Sequence, residues 1–351
     1  MKIRKLLIPF SILYALIVAC RRFLYKIGWF KSRFFSVPTI CVGNLRVGGT
    51  GKTPQIEFLI EQLSVHYKIA VLSRGYGRST KGYILANHLS DSDKRADIIG
   101  DEPLQYVSKF PNLIVAVCEK RVVGMEKLME QYPNLDLVLL DDAFQHLAVN
   151  YTLKILLTEY NNLYVHDYPF PAGNLREFRK AADNAQMIVV TKSPSNIDEL
   201  KLLWIKKELK IKPYQSLFFS SIIYKPFIPL TSSAKSMIYD HSTELIVITG
   251  IANPKTLLSH LELNYSKITL FDYPDHHPFS SIDLENIQNK YYSIPECKAI
   301  IVTTEKDWMR LKGIQENCLF LLPVFTIPIE IRFMLEEDSF ISKIEEYVRK
   351  N

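Results

Sequence analysis

Six residues constrain this chain more than any others: Gly48-Gly49-Thr50-Gly51-Lys52-Thr53. They follow an apolar run, Thr39–Val42, that reads as a strand, and precede a helix-like stretch that begins near Pro54. Glycines let a backbone wrap closely around phosphates with its N–H groups pointing inward. The N-terminus of the following helix adds partial positive charge. Nucleotide contacts are therefore expected from Gly48, Gly49, Thr50, Gly51, Lys52, Thr53 and Pro54. Lys52 would reach the β- and γ-phosphates, and the Thr53 hydroxyl would bind Mg²⁺. One position departs from the usual pattern. The residue five before Gly51 is Arg46, where a glycine is common.

Apolar runs at Ile69–Leu72, Leu113–Val117, Leu135–Leu140, Leu153–Leu157 and Met187–Thr191 alternate with helix-length segments such as Pro54–His66, Glu102–Phe110 and Glu119–Tyr132. Near-continuous apolar strands alternating with helices indicate a parallel sheet covered on both faces. The expected fold class is α/β, a P-loop NTPase-like and mostly parallel sheet. Later runs, Leu245–Thr249, Ile268–Phe271 and Ala299–Thr303, repeat the rhythm after a Pro- and Ser-rich stretch, and Ser339–Lys350 carries one apolar helix face. The expected division is residues 1–33 as an N-terminal helix, 34–215 as the nucleotide-binding core and 216–351 as a smaller α/β domain.

The segment Leu135 to Asp142 is an apolar strand that ends in two carboxylates. An acid at the carboxyl edge of the sheet is where a Mg²⁺ ligand belongs, so Thr53, Asp141 and Asp142 form the expected metal set. Adjacent aspartates point in different directions. One is expected to face the metal and the other to orient the loop.

The N-terminus reads as a membrane element. Leu6 to Cys20 is apolar, with Lys2, Arg4 and Lys5 before it and Arg21, Arg22 and Lys26 after it. Fifteen helical residues rise about 22 Å, short of the roughly 30 Å hydrocarbon core. Basic flanks on both sides suit an amphipathic helix lying in the interface, with Arg and Lys reaching headgroups; a helix packed on the protein's own core and a spanning or cleaved segment are the alternatives. The five cysteines, Cys20, Cys41, Cys118, Cys297 and Cys318, are scattered without metal or redox spacing, so a reducing compartment is expected. The net charge of +6 is spread without a basic, aromatic stripe, and no nucleic-acid partner is expected.

Two function classes fit a phosphate-binding loop plus a membrane helix: a small-molecule kinase and a membrane-recruited ATPase switch. A GTPase would carry Asp-x-x-Gly after the second strand, whereas the chain reads Asp141-Asp142-Ala143-Phe144. The order of further motifs favours the kinase. Val42-Gly43-Asn44-Leu45, Ser73-Arg74-Gly75-Tyr76-Gly77-Arg78, Gly100-Asp101-Glu102-Pro103, Asp141 to Gln145-His146, Pro171 to Glu177, Thr249 to Pro254, Asp275-His276 and Thr304-Glu305-Lys306-Asp307 follow one another from about residue 40 to 310. This series resembles the lipid A 4′-kinase (tetraacyldisaccharide 4′-kinase) family, whose loop also lacks the first glycine. Ala143 stands where that pattern has Gly.

The resemblance implies ATP-dependent phosphorylation of the 4′-hydroxyl of a tetraacylated glucosamine disaccharide 1-phosphate in lipid A biosynthesis. Its implied partners are ATP, Mg²⁺, the acylated lipid and the cytoplasmic face of the inner membrane, with a monomer expected. It implies catalytic roles for Asp101, His276 and Lys52. Asp101 would be the base, with a histidine of the second domain as its partner, although His277 follows immediately. Asn44, Arg74, Arg78, Arg121, Gln145 and His146 are the expected substrate-binding residues, the two arginines of the Gly-rich turn as phosphate forks. Arg176, Glu177, Lys306 and Asp307 would face the cleft or hold the domains together, and Asn253 would lie near adenine or at the domain junction.

Overall fold

The computed structural model describes residues 3–295, 298–314, 318–334 and 337–350. Lys2 and Cys297, named above, lie outside them. The larger sheet begins with β1 (Thr39–Asn44), β2 (Ile69–Ser73), β3 (Ile84–Leu85), β4 (Ile114–Val117), β5 (Leu137–Asp141), β6 (Leu153–Glu159), β7 (Met187–Thr191) and β8 (Ser216–Tyr224). A smaller sheet follows, from β9 (Ile228–Pro229), β10 (Glu244–Thr249), β11 (Ile268–Asp272), β12 (Ala299–Thr304) and β13 (Val324–Ile327). The chain then returns as β14 (Ile329–Phe333), which pairs antiparallel with β8 at the edge of the first sheet.

The larger sheet has the order β14-β8-β7-β6-β1-β5-β2-β4-β3, parallel except at its two ends. Every residue of β1, β2, β4, β5 and β7 is buried, the fully apolar strand expected when helices cover both faces. β1 lies between β5 and β6, and the chain reverses direction across it. The carboxyl ends at such a switch point form a crevice. Val42 pairs with Asp141, so the phosphate loop leaving β1 and the acid ending β5 emerge side by side.

The expected division at residue 216 differs from the way the sheets share the chain. Residues 216–224 extend the larger sheet, and 329–349 return to it. The reason is apolar. Phe333 and Phe340 stack at 4.2 Å and pack with Phe58 and Phe218, burying one face of the C-terminal helix (Glu337–Arg349) on the nucleotide-binding lobe. The smaller lobe is thus an excursion between two adjacent strands, joined by two crossings of the chain.

The N-terminal helix runs from Ile8 to Lys26, longer than the apolar run suggested. Arg22 does not end it because its side chain finds an internal acid, Glu177. At 19 residues the helix rises about 28 Å, and it is long and apolar enough to cross a membrane by length and composition. Ser11 and Ala15 bury one stripe, while Phe10, Leu13, Leu16, Ile17 and Phe23 are exposed.

Candidate active site

The phosphate loop is shaped from both sides. Gly51 has φ +86°, a left-handed conformation natural to glycine, and caps the helix that starts at Lys52. The buried Asn44 side chain donates to the Arg46 carbonyl at 2.6 Å and to Thr50 Oγ1 at 2.7 Å. From the other flank, Thr191 Oγ1 donates to the Thr50 carbonyl at 2.8 Å and Lys192 Nζ to the Gly49 carbonyl at 2.5 Å. Arg46 points away, its guanidinium 2.8 Å from Asp167 and 3.5 Å from Glu159. A side chain is tolerated where a glycine is usual because the loop is anchored outward there.

The two aspartates after β5 are treated differently. Asp141 is fully buried; its Oδ2 accepts from Ser73 Oγ and Tyr106 OH, each at 3.4 Å, and its Oδ1 has no hydrogen-bond partner. Burial, with the carboxylates of Glu102 and Asp142 nearby, pushes its pKa up to about 7. Asp142 has φ +46° and turns to Arg176, which donates to both its oxygens at 2.8 and 2.9 Å, with Lys52 Nζ at 3.9 Å. Burial alone would raise its pKa, but Lys52 and Arg176 outweigh it and hold the carboxyl below the usual range. The pair divides into a cation-poor site at Asp141 and a cation-rich one at Asp142.

Asp101 opens the helix Asp101–Lys109 beneath a tight crossing of two glycine turns. Gly100 has φ +93°, and a Cβ there would come within 3.1 Å of the Gly75 backbone. The carboxylate is buried, and three cationic or ionisable groups of the smaller lobe surround Oδ2: His276 Nδ1 at 3.0 Å, Arg310 Nε at 3.8 Å and Lys306 Nζ at 3.9 Å. The imidazole is at hydrogen-bond distance but out of alignment, so Oδ2 counts no formed hydrogen bond. Burial raises the carboxyl's pKa; His276, Lys306 and Arg310 lower it further than burial lifts it, so Asp101 is ionised at neutral pH. His277 turns elsewhere. It stacks on Tyr273 at 4.5 Å and meets Asp283 at 3.2 Å.

Between these groups lies a cavity of about 450 Å³, lined from one lobe by residues 47–54, Glu102, Asp142, Arg176 and Lys192, and from the other by Ala252, Asn253, His276 and Lys306. The model of a family described as tetraacyldisaccharide-1-P 4′-kinase matches residues 3–349. The chain belongs to this family. It is 42% identical to the tetraacyldisaccharide 4′-kinase of Flavobacterium johnsoniae across 99% of this chain and 98% of the relative. Identity to the tetraacyldisaccharide 4′-kinase of Bacteroides fragilis YCH46 is also 42%, across 100% of this chain and 94% of the relative. Among solved structures, LpxK of Aquifex aeolicus, crystallised with ATP, matches with a TM-score of 0.72 and 26% identity over 99% of both chains. As a tetraacyldisaccharide 4′-kinase, the chain binds ATP and phosphorylates a lipid disaccharide hydroxyl in lipid A biosynthesis.

The remaining residues singled out in the sequence lie around this 4′-kinase cleft at different depths. Gln145 Nε2 donates to the Asn44 carbonyl at 2.9 Å, and its Oε1 is 3.4 Å from Arg176. His146 is half-buried on the same turn, with its pKa lowered to about 4 by burial and by the positive charges of Arg121, Arg74 and Arg21. Arg74 is exposed. Arg78 and Arg121 lie behind the cleft wall. Arg78 donates to Glu119 at 2.7 Å and to the Gly82 carbonyl at 2.6 Å. Arg121 donates to the carbonyls of Cys118 and Asp141 at 2.5 and 3.2 Å. Asn253 lines the cavity at the junction of the lobes.

Sequence reasoning passed over four cleft residues. Glu102 accepts from Thr53 Oγ1 at 3.4 Å, Tyr76 sets its ring edge-on to His276 at 5.3 Å, and Lys192 and Arg310 brace the loop and Asp101. The Gly-Asp-Glu-Pro motif already held Glu102. Arg310 had no such signal, since it sits one helical turn beyond the motif that carries Lys306.

Proposed function

We propose that this cleft transfers the γ-phosphate of ATP to the 4′-hydroxyl of a tetraacylated glucosamine disaccharide 1-phosphate, with Asp101 as the base. The observation that carries the reading is the meeting of an ionised, buried Asp101 with His276 of the other lobe, beside the phosphate loop. Phosphoryl transfer through a loose transition state asks mostly for positioning and charge neutralisation. The loop N–H groups and Lys52 hold the β- and γ-phosphates. Arg176 and Lys52 gather negative charge at the transfer point, and Arg176 is itself fixed by Asp142. The hydroxyl loses its proton late in such a transition state, so an ionised and oriented carboxylate serves even though its cationic neighbours hold it below the usual carboxylate range.

The donor set fits Mg²⁺. Among the described residues no group of three His, Cys, Asp or Glu could hold a metal alone. Mg²⁺ asks for less, one or two carboxylates completed by phosphate oxygens and water. Asp141 has an unpartnered buried oxygen and an excess of nearby negative charge, and Thr53 and Glu102 lie beside it. Those residues would hold the ion, which would neutralise phosphate charge.

The acylated acceptor stays in a bilayer, so the enzyme works at its surface. Support comes from the exposed apolar stripe of the Ile8–Lys26 helix and its docking on the cleft's own rim: Tyr14 OH donates to the Arg176 carbonyl at 3.0 Å. ATP use and the free thiols of Cys20, Cys41, Cys118 and Cys318 among the described residues support the reading of a peripheral or monotopic protein of the cytoplasmic face. One chain supplies every proposed group, so a monomer suffices. The test is transfer of label from γ-labelled ATP to the disaccharide in detergent micelles. Asp101→Asn is expected to lower kcat by about 10²–10⁴-fold with ATP affinity little changed; near-normal turnover would remove Asp101 as the base.

A further inference from the structure

The helix Glu199–Leu209, which leads from β7 to β8, carries apolar residues on two opposite sides. Ile205 and Leu209 face inward and are buried in the core that holds Ile188 and Val190 of β7. Leu200, Leu203, Trp204 and Lys207 are spaced i, i+3, i+4, i+7, so they share the outward face. Leu200 is 80% exposed, Leu203 56% and Trp204 41%. The outward stripe of a surface helix is ordinarily charged or polar, because burial of the inner stripe is what stabilises the helix. Here two leucines and a tryptophan stand where polar residues are usual.

The stripe is joined to the N-terminal helix through one ordered segment. The His166 ring lies 6.0 Å from that of Trp204, and its Nε2 is 2.8 Å from Glu208. Tyr168 and Phe170, next along the chain, are both exposed. Phe170 meets Tyr14 of the N-terminal helix edge-on at 6.1 Å, and Arg4 donates to the carbonyls of Pro171 and Gly173. Exposed apolar groups therefore follow one another from Trp204 through Tyr168 and Phe170 to the exposed face of the first helix. Cations accompany them. Lys206, Lys207, Arg179 and Lys180 are exposed, and Lys201 Nζ sits 3.9 Å over the Trp204 ring. Of the helix's acids, Asp198 caps its first turn by accepting from the Lys201 N–H and Glu208 pairs with His166, which leaves Glu199 exposed.

We propose that the outward face of the helix Glu199–Leu209 is a second contact with an anionic lipid bilayer, continuous with the N-terminal helix. The inference rests on the reading that the enzyme works at a bilayer surface, and it adds a surface to that reading. Leucine and tryptophan beside lysines suit the boundary between acyl chains and headgroups, where the indole lies at headgroup level and the ammonium groups meet phosphate. The consequence is orientation. One helix on a membrane leaves the protein free to roll about that helix, whereas two fix the tilt of the cleft mouth over the lipid.

The test reads Trp204 directly. Of the three tryptophans, Trp308 is buried and Trp29 is exposed, so Trp29→Phe leaves Trp204 as the exposed one. With phosphatidylglycerol vesicles that carry brominated acyl chains, its emission is expected to shift to the blue and to be quenched. Replacing Leu200 and Leu203 with Glu should lower partition into these vesicles by at least about tenfold, with ATP binding and melting temperature kept. Serine serves at both positions if the glutamates do not fold. Lys206→Gln with Lys207→Gln should weaken binding to anionic vesicles about tenfold and leave binding to neutral ones unchanged. Protein that floats with the vesicles while Trp204 stays unquenched would overturn the proposal and leave the N-terminal helix as the contact. A dimer in lipid-free solution that the glutamates dissolve would also overturn it, since a second copy would then cover the stripe. Quenching of Trp204 that persists when Leu13 and Ile17 are Glu would support it, even if flotation showed no part for the N-terminal helix.

Discussion

At the scale of single residues, burial decides most of what the charges here do. His146 is the clearest case. A histidine with an ordinary value near 6.5 is lowered to about 4 by burial and neighbouring arginines. As pH falls below 6.5, the unfolded chain takes a proton that the folded chain refuses until about 4, so stability is lost on acidification across that window. His146→Gln removes this linkage. Its melting temperature is expected to fall less than that of wild type between those two pH values, and parallel acid-induced losses would show that the ring is not held neutral. The same physics explains what the sequence hid. Motif order brought Asp101, Lys52 and the Asp141–Asp142 pair to notice, because those residue types carry phosphate chemistry. It could not reveal that Arg78 and Arg121 lie behind the wall, since an arginine that props up carbonyls looks like one that grips phosphate until its partners are known.

At the scale of elements, the central strands were legible because full burial demands unbroken apolar runs. β1, β2, β4, β5, β6, β7, β10, β11 and β12 fall within a few residues of the runs read from the sequence. β8 and β14 were not found. In Ser216–Tyr224 serines interrupt the apolar pattern, and Ile329–Phe333 alternates with Glu330 and Arg332, so each resembles a loop until the other pairs with it. The N-terminal helix shows the opposite error. Its arginines suggested an end at Cys20, but Arg22 is absorbed by Glu177 and the helix continues to Lys26. Its two faces make separate predictions. Leu13 and Ile17 are exposed, while Ser11 accepts from the Ala172 N–H and Ala15 is buried against the protein. Burying a Leu or Ile side chain is worth about 1.5–3 kcal/mol. Replacing both Leu13 and Ile17 with Glu should lower partition into anionic vesicles by at least about tenfold and leave ATP binding intact. Undiminished vesicle binding in a flotation assay would move the membrane contact elsewhere.

At the scale of the whole molecule, the active cleft exists where the lobes meet, and Met309 of the smaller lobe packs against the cores of both. The smaller lobe hangs between β8 and β14 and reaches across through His276, Lys306 and Arg310 to Asp101, through Glu305 to Lys109 at 3.4 Å, and through Lys312 to Ser108. Lys109 serves two acids. It also lies 2.9 Å from Glu57, a nearly buried carboxyl on the phosphate-loop helix whose pKa burial pushes up to about 7 despite that lysine. The two ends of Lys109 therefore answer different questions. Glu305→Gln removes only the crossing between lobes, a partly shielded pair worth about 0.2–1 kcal/mol. It should shift the ratio of closed to open molecules by up to about fivefold in single-molecule energy transfer, with the melting temperature nearly unchanged. Lys109→Met also leaves the buried Glu57 without its cation and with the Gln105 amide, at 2.7 Å, as its remaining hydrogen-bond donor, so its melting temperature should fall clearly, and the fall should shrink toward acid pH as Glu57 takes up a proton. Equal melting behaviour in the two variants would mean that Lys109 holds only the lobes together. Equal lobe distributions in Glu305→Gln and wild type would leave closure to the charges around Asp101 alone, joining the assembly of the catalytic groups and the closing of the cleft in one event.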